Sequence, residues 1–409
     1  MAKTLVIIGG GAAGFFCAVT AKRLNPSLSV TILEKSSKVL SKVRISGGGR
    51  CNVTHACFSV TDMARRYPRG GNVVKKTFHQ FFTTDTIEWF EERGVRLKAE
   101  PDGRMFPVTD SSETIIACFM REISLLGVSL QMNRDVQSLI RVGEQWHLSV
   151  SGHENIITDY VCIACGGFPK ESAFDWIKAV GHSVETPVPS LFTFNMPGNP
   201  ITQLMGVSVG HAGIRISDSK LQESGPLLIT HWGMSGPAVL KLSAWGAREL
   251  AALNYNFEVI VNWVPGEKEP AVRETLQGLR QSTASQKVFG RNPFALPNRL
   301  WEYLLALSEI RPQWKWGDLP NAHLNTLVRH LASQKFQVKG KTTFKEEFVT
   351  AGGVRTTEID ANTMESKLQP GLFFAGEIMN VDGVTGGFNF QHAWTSGYIV
   401  GKIVAELAS

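Results

Sequence analysis

The sequence predicts an α/β fold: a parallel sheet flanked by helices, interrupted by an antiparallel β-barrel-like unit and a small helical one. Three observations predict it. The apolar run Val6–Ile8 breaks into Gly9, Gly11 and Gly14 and continues as a helix. A second apolar strand, Val30–Leu33, ends in Glu34, 20 residues beyond Gly14 (34 − 14). Finally, strands with alternating polarity between 191 and 263 lie between two stretches of α/β texture.

Each part of the first unit has a physical task. Gly9 permits a tight turn, Gly11 lets backbone approach a pyrophosphate, and Gly14 lets the helix lie close to the sheet. With Ala12 and Ala13 they form a helix start whose free N–H groups and dipole attract phosphate. Glu34 would accept hydrogen bonds from ribose hydroxyls and repel a 2′-phosphate. Strand, turn, helix, strand and acid in register make a Rossmann-like dinucleotide-binding half-domain.

Composition bounds the rest. With 409 residues the chain exceeds one simple core. No run of about 18 apolar residues suggests a membrane span. The first strand starts almost at once and leaves no room for a signal peptide, which predicts a cytoplasmic protein. The net charge of +6 is scattered, with its densest stretch at Lys35–Arg50. Phosphate binding explains that stretch better than nucleic acid does. The six cysteines form no disulfide framework. Cys162 and Cys165 fit CxxC, but on a strand they point to opposite faces, so the segment reads as buried strand.

Along the chain, 72–94 reads as a helix with Phe78, Phe81, Phe82, Ile87, Trp89 and Phe90 on its apolar side. Ser112–Leu126 is another helix and Ser129–Met132 a strand. Val136–Val142 and Trp146–Val150 form an antiparallel ribbon, and Tyr160–Cys165 returns as core strand. The texture changes at Pro187–Pro189. The first part of the cofactor domain is therefore 1–190. The insertion is 191–343, β-barrel-like over 191–265 and helical over 266–335, and the domain resumes over 344–409. In the insertion, Phe257, Val259, Val261 and Trp263 share a strand face, and Leu324, Leu327, Val328 and Leu331 make a buried helical stripe. Gly371–Ala375 is the last strand and Asn389–Glu406 the last helix, whose Ala393, Gly397 and Gly401 present a small-residue face.

Three later features select FAD over NAD. The ribbon and returning strand are a common excursion of the FAD-binding variant. Gly376–Glu377 stands where a ribityl chain would need a carboxylate. Gly383–Phe388 leads into a helix N-terminus that would stabilise the negative charge of reduced flavin. No second GxGxxG follows an apolar strand, so a nicotinamide donor, NAD(P)H, would bind transiently in the substrate cleft.

Ile45-Ser46-Gly47-Gly48-Gly49-Arg50-Cys51-Asn52-Val53-Thr54 resembles the signature of bacterial NAD(P)/FAD-dependent oxidoreductases, the BaiN-like and aminoacetone-oxidase-like flavoproteins. Gly103–Pro107, Thr230–Pro237, Thr350–Val354 and Phe374–Gly387 agree with it. The loop Ala164–Lys170 departs from the family pattern, so substrate preference does not carry over. The resemblance implies a glutathione-reductase-type, three-layer FAD domain interrupted by a β-barrel and a small helical unit, and no single reaction.

On this reading Gly9, Gly11, Ala12, Ala13 and Gly14 hold the pyrophosphate and Glu34, with neighbouring Lys35, the adenosine ribose. Lys42 lies near the cofactor. Gly47, Gly48, Gly49 and Asn52 pass along the isoalloxazine, with backbone N–H groups or Asn52 donating to it. Arg50 either ties the loop or meets an anionic substrate. Val136 meets the adenine through its backbone, and Ala164 and Gly166 border the flavin. Gly376 and Glu377 meet the ribityl chain, and Asp382, Gly386, Gly387, Phe388 and Asn389 the ring and phosphate edge. His231 is the candidate acid/base group, read against a histidine that only bonds a carbonyl. The assignment contains no metal ligand.

The expected chemistry is hydride transfer at flavin N5. NAD(P)H-linked reduction of an activated C=C bond in an apolar or steroid-like small molecule comes first, because the insertion is rich in Phe and Trp. Oxygen-dependent oxidation of an aminoacetone-like amine is the alternative. An RNA-modifying flavoprotein (Arg311 and Trp314-Lys315-Trp316 the only hint) and a non-catalytic flavin sensor are further rivals. Neither nucleic acid nor membrane is the expected partner, and the oligomeric state is not legible.

Overall fold

The computed structural model describes residues 2–342 and 349–409. Two compact units form, Met1–Pro189 with Lys345–Ser409, and Ser190–Phe344. The return boundary expected at 343/344 lies outside the described residues.

The first unit is built on a five-stranded parallel sheet in the order Leu372–Phe374, Tyr160–Ile163, Thr4–Ile8, Ser29–Glu34, Ser129–Met132. Ile7 lies between Cys162 and Ile32. Leu5, Ile7, Ile32, Cys162 and Ile163 are all fully buried, as a sheet covered on both faces requires. Helix Ala12–Leu24 packs on helix Phe388–Leu407, and small residues set their separation. A β-carbon on Gly397 would lie 2.5 Å from the Ala13 carbonyl oxygen, and one on Gly401 2.6 Å from that of Cys17. Phe16, Trp89, Phe119 and Trp394 close the core, with Phe16 and Trp89 centroids 4.6 Å apart.

Helix Ser112–Leu126 starts at Ser111, whose hydroxyl accepts from the Glu113 N–H, and stops at Gly127 with φ +67°. The expected helix over 72–94 is instead two, Gly71–Thr77 and Thr83–Glu91. The second start is set by the Asp85 carboxylate, which accepts from the Phe82 N–H at 2.6 Å. The ribbon gains a third strand, Ile156–Thr158. Cys162 is buried and Cys165 half-buried, both thiols are free, and burial pushes that of Cys165 up to about 12.

The second unit is a seven-stranded antiparallel sheet in the order Gln334–Lys339, Asn256–Asn262, Ser208–Ile216, Gln222–Thr230, Gly233–Ser235, Thr193–Asn195, Lys341–Thr342. Its two edge strands are joined by Gly340 alone, so the sheet must curl until its edges nearly meet. That is the barrel-like form. Phe257, Val259, Val261 and Trp263 fill its interior with the stripe Leu324, Leu327, Val328 and Leu331 of helix Asn321–Ser333. Among the described residues no helix is long and apolar enough to cross a membrane.

Candidate functional site

In an open parallel sheet, ligands bind beyond the carboxyl ends of the strands. Three strands of the first unit deliver their loops there. Gly9 N–H donates to Leu33 O (2.8 Å), Ala164 N–H to Ile8 O (2.8 Å) and Ala375 N–H to Ile163 O (3.0 Å), which gathers Gly9–Gly14, Ala164–Gly167 and Gly376–Glu377.

The glycines in these loops do different work. A β-carbon on Gly9 would sit 2.5 Å from Ala164 O, and one on Gly14 2.1 Å from Gly9 O, so both are demanded by packing. At Gly11 the nearest atom would be 4.0 Å away, and at Gly166 nothing lies within 4 Å. These two leave backbone open to a ligand. Ala12 and Ala13 start the first helix directly after Gly11. The Glu34 carboxylate accepts from the N–H groups of Gly10 and Ser36, both at 2.9 Å. Arg134 N–H donates to Glu34 O (2.9 Å), which brings the chain entering Val136 alongside. Lys35 Nζ stands 5.5 Å over the Phe168 ring.

Next to this end, Lys42 and Glu377 form an ion pair spanning 335 positions. The second Glu377 oxygen accepts from Thr350 N–H at 3.0 Å. Gly167 closes over them: its β-carbon would lie 2.6 Å from Thr350 Oγ1 and 2.8 Å from Glu377 Oε1. The Thr350 hydroxyl is buried with no hydrogen-bond partner among the described residues. Thr350 was not among the expected site residues, although its motif Thr350–Val354 was among those carrying the resemblance.

The signature loop makes the far end. Helix Ser41–Gly49 breaks where Ser46 turns extended and Gly47 and Gly48 turn left-handed. Gly47 is packed, with a β-carbon 2.7 Å from Phe106 Cε1, whereas Gly48 and Gly49 have nothing within 4 Å. Asn52 accepts from Gly387 N–H (2.9 Å) and donates to Thr54 O (3.1 Å), in the amide orientation that satisfies both groups. His55 Nδ1 lies 3.0 Å from Gly386 O, and its ring stacks on Phe388 with centroids 4.7 Å apart. Tyr67 OH donates to Phe388 O at 2.5 Å. Neither His55 nor Tyr67 was anticipated, because their partners lie more than 300 positions away.

These contacts give several of the expected site side chains partners within the protein. Arg50 donates to Gly47 O (3.3 Å) and Glu100 (2.6 Å) and lies 3.9 Å over the Phe106 ring, so it ties the loop down. Asn52 is spent on the start of the last helix, while Gly48 and Gly49 of its loop stay open. Asp382 is fully buried and paired with Arg69, whose Nε donates to it at 2.6 Å. Asn389 grips Gly383 through both its N–H (2.8 Å) and its O (2.9 Å), bracing the turn. Gly376 N–H donates to Ser396 Oγ at 2.9 Å, beside the buried His392, whose imidazole burial pushes down to about 4.

His231 is exposed and sits with Trp232 in the two-residue turn between Gln222–Thr230 and Gly233–Ser235. The residues after it form a strand, and the helix begins only at Pro237.

These residues fit FAD on two observations of the first unit. The backbone is open at Gly11, Gly48, Gly49 and Gly166, where a flavin dinucleotide needs close approach. The orphaned Thr350 hydroxyl stands beside Glu377, with polar capacity that a ribityl chain could use.

The HI0933-like protein Rossmann domain family matches residues 3–403. A 3-dehydro-bile acid delta(4,6)-reductase of Clostridium scindens is 27% identical, with 98% of each chain covered. A ribosomal RNA dihydrouridine synthase of Escherichia coli is 29% identical over 96% of each. Among solved structures, a 3-ketosteroid-delta4-(5alpha)-dehydrogenase from Rhodococcus jostii RHA1 covers 98% of this chain and 97% of its own, with TM-score 0.53 and 12% identity. That likeness concerns the fold.

Proposed function

We propose, from the premise that the chain belongs to the HI0933-like protein Rossmann family, that this FAD-dependent oxidoreductase reduces a C=C bond conjugated to a carbonyl. NAD(P)H is the donor in this reading, and the substrate is apolar and steroid-like. One observation carries it. Two full-length relatives, the bile-acid delta(4,6)-reductase and the dihydrouridine synthase, are both named for adding hydrogen across such a bond.

Bound FAD would supply hydride at N5. The chain's own residues would do the rest. Gly11, Ala12 and Ala13 present N–H groups to the pyrophosphate, with the helix dipole behind them. Glu34 would meet the adenosine ribose, and Lys42, Glu377 and Thr350 the ribityl hydroxyls. Gly48 and Gly49 leave room for the ring, and the start of helix Phe388–Leu407 would favour negative charge at its pyrimidine edge. His231 is retained only as a proposed proton donor, to be judged by the pH dependence of His231→Gln turnover.

A second reading takes uridine in RNA as the substrate. The 28–29% identity to two ribosomal RNA dihydrouridine synthases favours it.

The test is anaerobic reduction of the FAD-loaded protein by NADH or NADPH, followed by candidate oxidants. Reoxidation by a 3-oxo-Δ4 steroid with loss of its enone absorbance is the expected result. Reoxidation by a uridine-rich ribosomal RNA transcript alone would select the second reading. A flavin reduced by aminoacetone and not by NAD(P)H would overturn both, and one that no reagent reduces would point to a sensor.

A further inference from the structure

The Gly386–Gly387 peptide is held at both ends by one loop. Its carbonyl oxygen lies 3.0 Å from His55 Nδ1, and its N–H donates to Asn52 at 2.9 Å. The C=O and N–H of a trans peptide point in opposite directions, so these two contacts fix the rotation of the peptide plane. Gly386 (φ +132°) and Gly387 (φ +93°) occupy backbone that few other residues adopt, and a β-carbon on Gly387 would lie 2.4 Å from Thr54 O. The next residue begins the 20-residue last helix, and its ring stacks on His55. A carbonyl can only accept, so Nδ1 must carry the proton in this contact. The opposite edge of the ring abuts Gly103, where a β-carbon would be 2.5 Å from Nε2. The ring therefore cannot slide away from its carbonyl in that direction.

We infer that His55 is a positioning residue: as an Nδ1–H donor it sets the Gly386–Gly387 peptide and so aims the N-terminus of the last helix at the flavin. The inference rests on the FAD reading above. Its consequence is differential, because a helix N-terminus favours the more negative, reduced cofactor over the oxidised one.

Two substitutions separate donor from ring. Asn at 55 can place its amide N–H near the Nδ1 position, whereas Phe keeps the stack on Phe388 and removes the donor. The ratio of dissociation constants for oxidised and reduced FAD is read from the midpoint potentials of bound and free cofactor. It is expected to move about fivefold against reduced FAD in His55→Phe, the size of one partly exposed helix-terminus interaction. His55→Asn is expected to restore most of it. An unchanged ratio in His55→Phe overturns the inference, as does an equal loss in His55→Asn. Should His55→Phe fail to fold, nitrogen NMR of the wild-type protein, with the His55 signal assigned by its loss in His55→Asn, decides instead. The Nδ1–H tautomer supports the inference and the Nε2–H tautomer overturns it. Failure of the wild-type protein to bind FAD would overturn the FAD reading itself, a result distinct from all of these.

Discussion

Gly47 and Gly48 are neighbours with the same left-handed backbone (φ +60° and +70°) and opposite surroundings. Replacing either by Ala costs about 1–2 kcal/mol for the backbone alone. At Gly47 the new methyl would lie 2.7 Å from Phe106 Cε1, so the ring must shift under Arg50. Overpacking of this kind adds about 1–3 kcal/mol. Gly47→Ala should therefore lose about 2–5 kcal/mol. At Gly48 nothing lies within 4 Å, so Gly48→Ala should lose only the backbone cost. Its effect should appear in binding. If the open space at Gly48 belongs to the flavin, the methyl should weaken FAD at least tenfold, about 1.4 kcal/mol. Urea unfolding of the cofactor-free proteins gives the stabilities, and quenching of flavin fluorescence gives the affinities. The reasoning is refuted if Gly48→Ala binds FAD as tightly as wild type, or if it destabilises the fold as much as Gly47→Ala.

Other expectations follow from the same contacts. Asp382→Asn leaves Arg69 beside an uncharged partner in a buried site and should cost about 3–5 kcal/mol in urea unfolding. The double change with Arg69→Met should cost less than the sum of the two singles. Thr350→Val removes an orphaned hydroxyl, so the cofactor-free protein should be no less stable, while FAD affinity should fall several-fold by fluorescence titration. His392, with an ordinary value of 6.5 lowered to about 4 by burial, makes stability depend on pH. The unfolded chain takes up a proton that the folded one refuses, so stability is present above about 6.5 and is lost as pH falls towards 4. The loss is roughly 3 kcal/mol at most, and His392→Leu should flatten the slope of unfolding midpoint against pH in that window.

The legible part of this protein was local. Helix Ser112–Leu126, strand Ser129–Met132 and the first β-α-β unit fall where periodicity and glycine spacing put them. The stripe Leu324–Leu331 and the small face Gly397–Gly401 are buried for the reasons their spacing implied. The break between Thr77 and Thr83 was not legible, since the phenylalanines around it are apolar enough for either state. Only the Asp85 cap decides where the second helix starts.

The far end of the site was the least legible. Arg50, Asn52, Asp382 and Asn389 were all chemically suited to touch a cofactor, and a sequence shows what a side chain can do. Their partners are Glu100, Gly387, Arg69 and Gly383, and the contacts Asn52–Gly387 and Asp382–Arg69 join segments more than 300 positions apart, which no local pattern reveals. So the sequence by itself determined most of the elements, the glycine turn after the first strand and the Rossmann-type domain, because turn chemistry and hydrophobic periodicity act between neighbours. Tertiary structure alone decided which polar groups are already satisfied within the protein and which, like the Thr350 hydroxyl, find no partner among the described residues, and where, as at Gly48, backbone stays open. The reason is that a hydrogen bond is settled by proximity in space, and here that proximity spans more than 300 residues of chain.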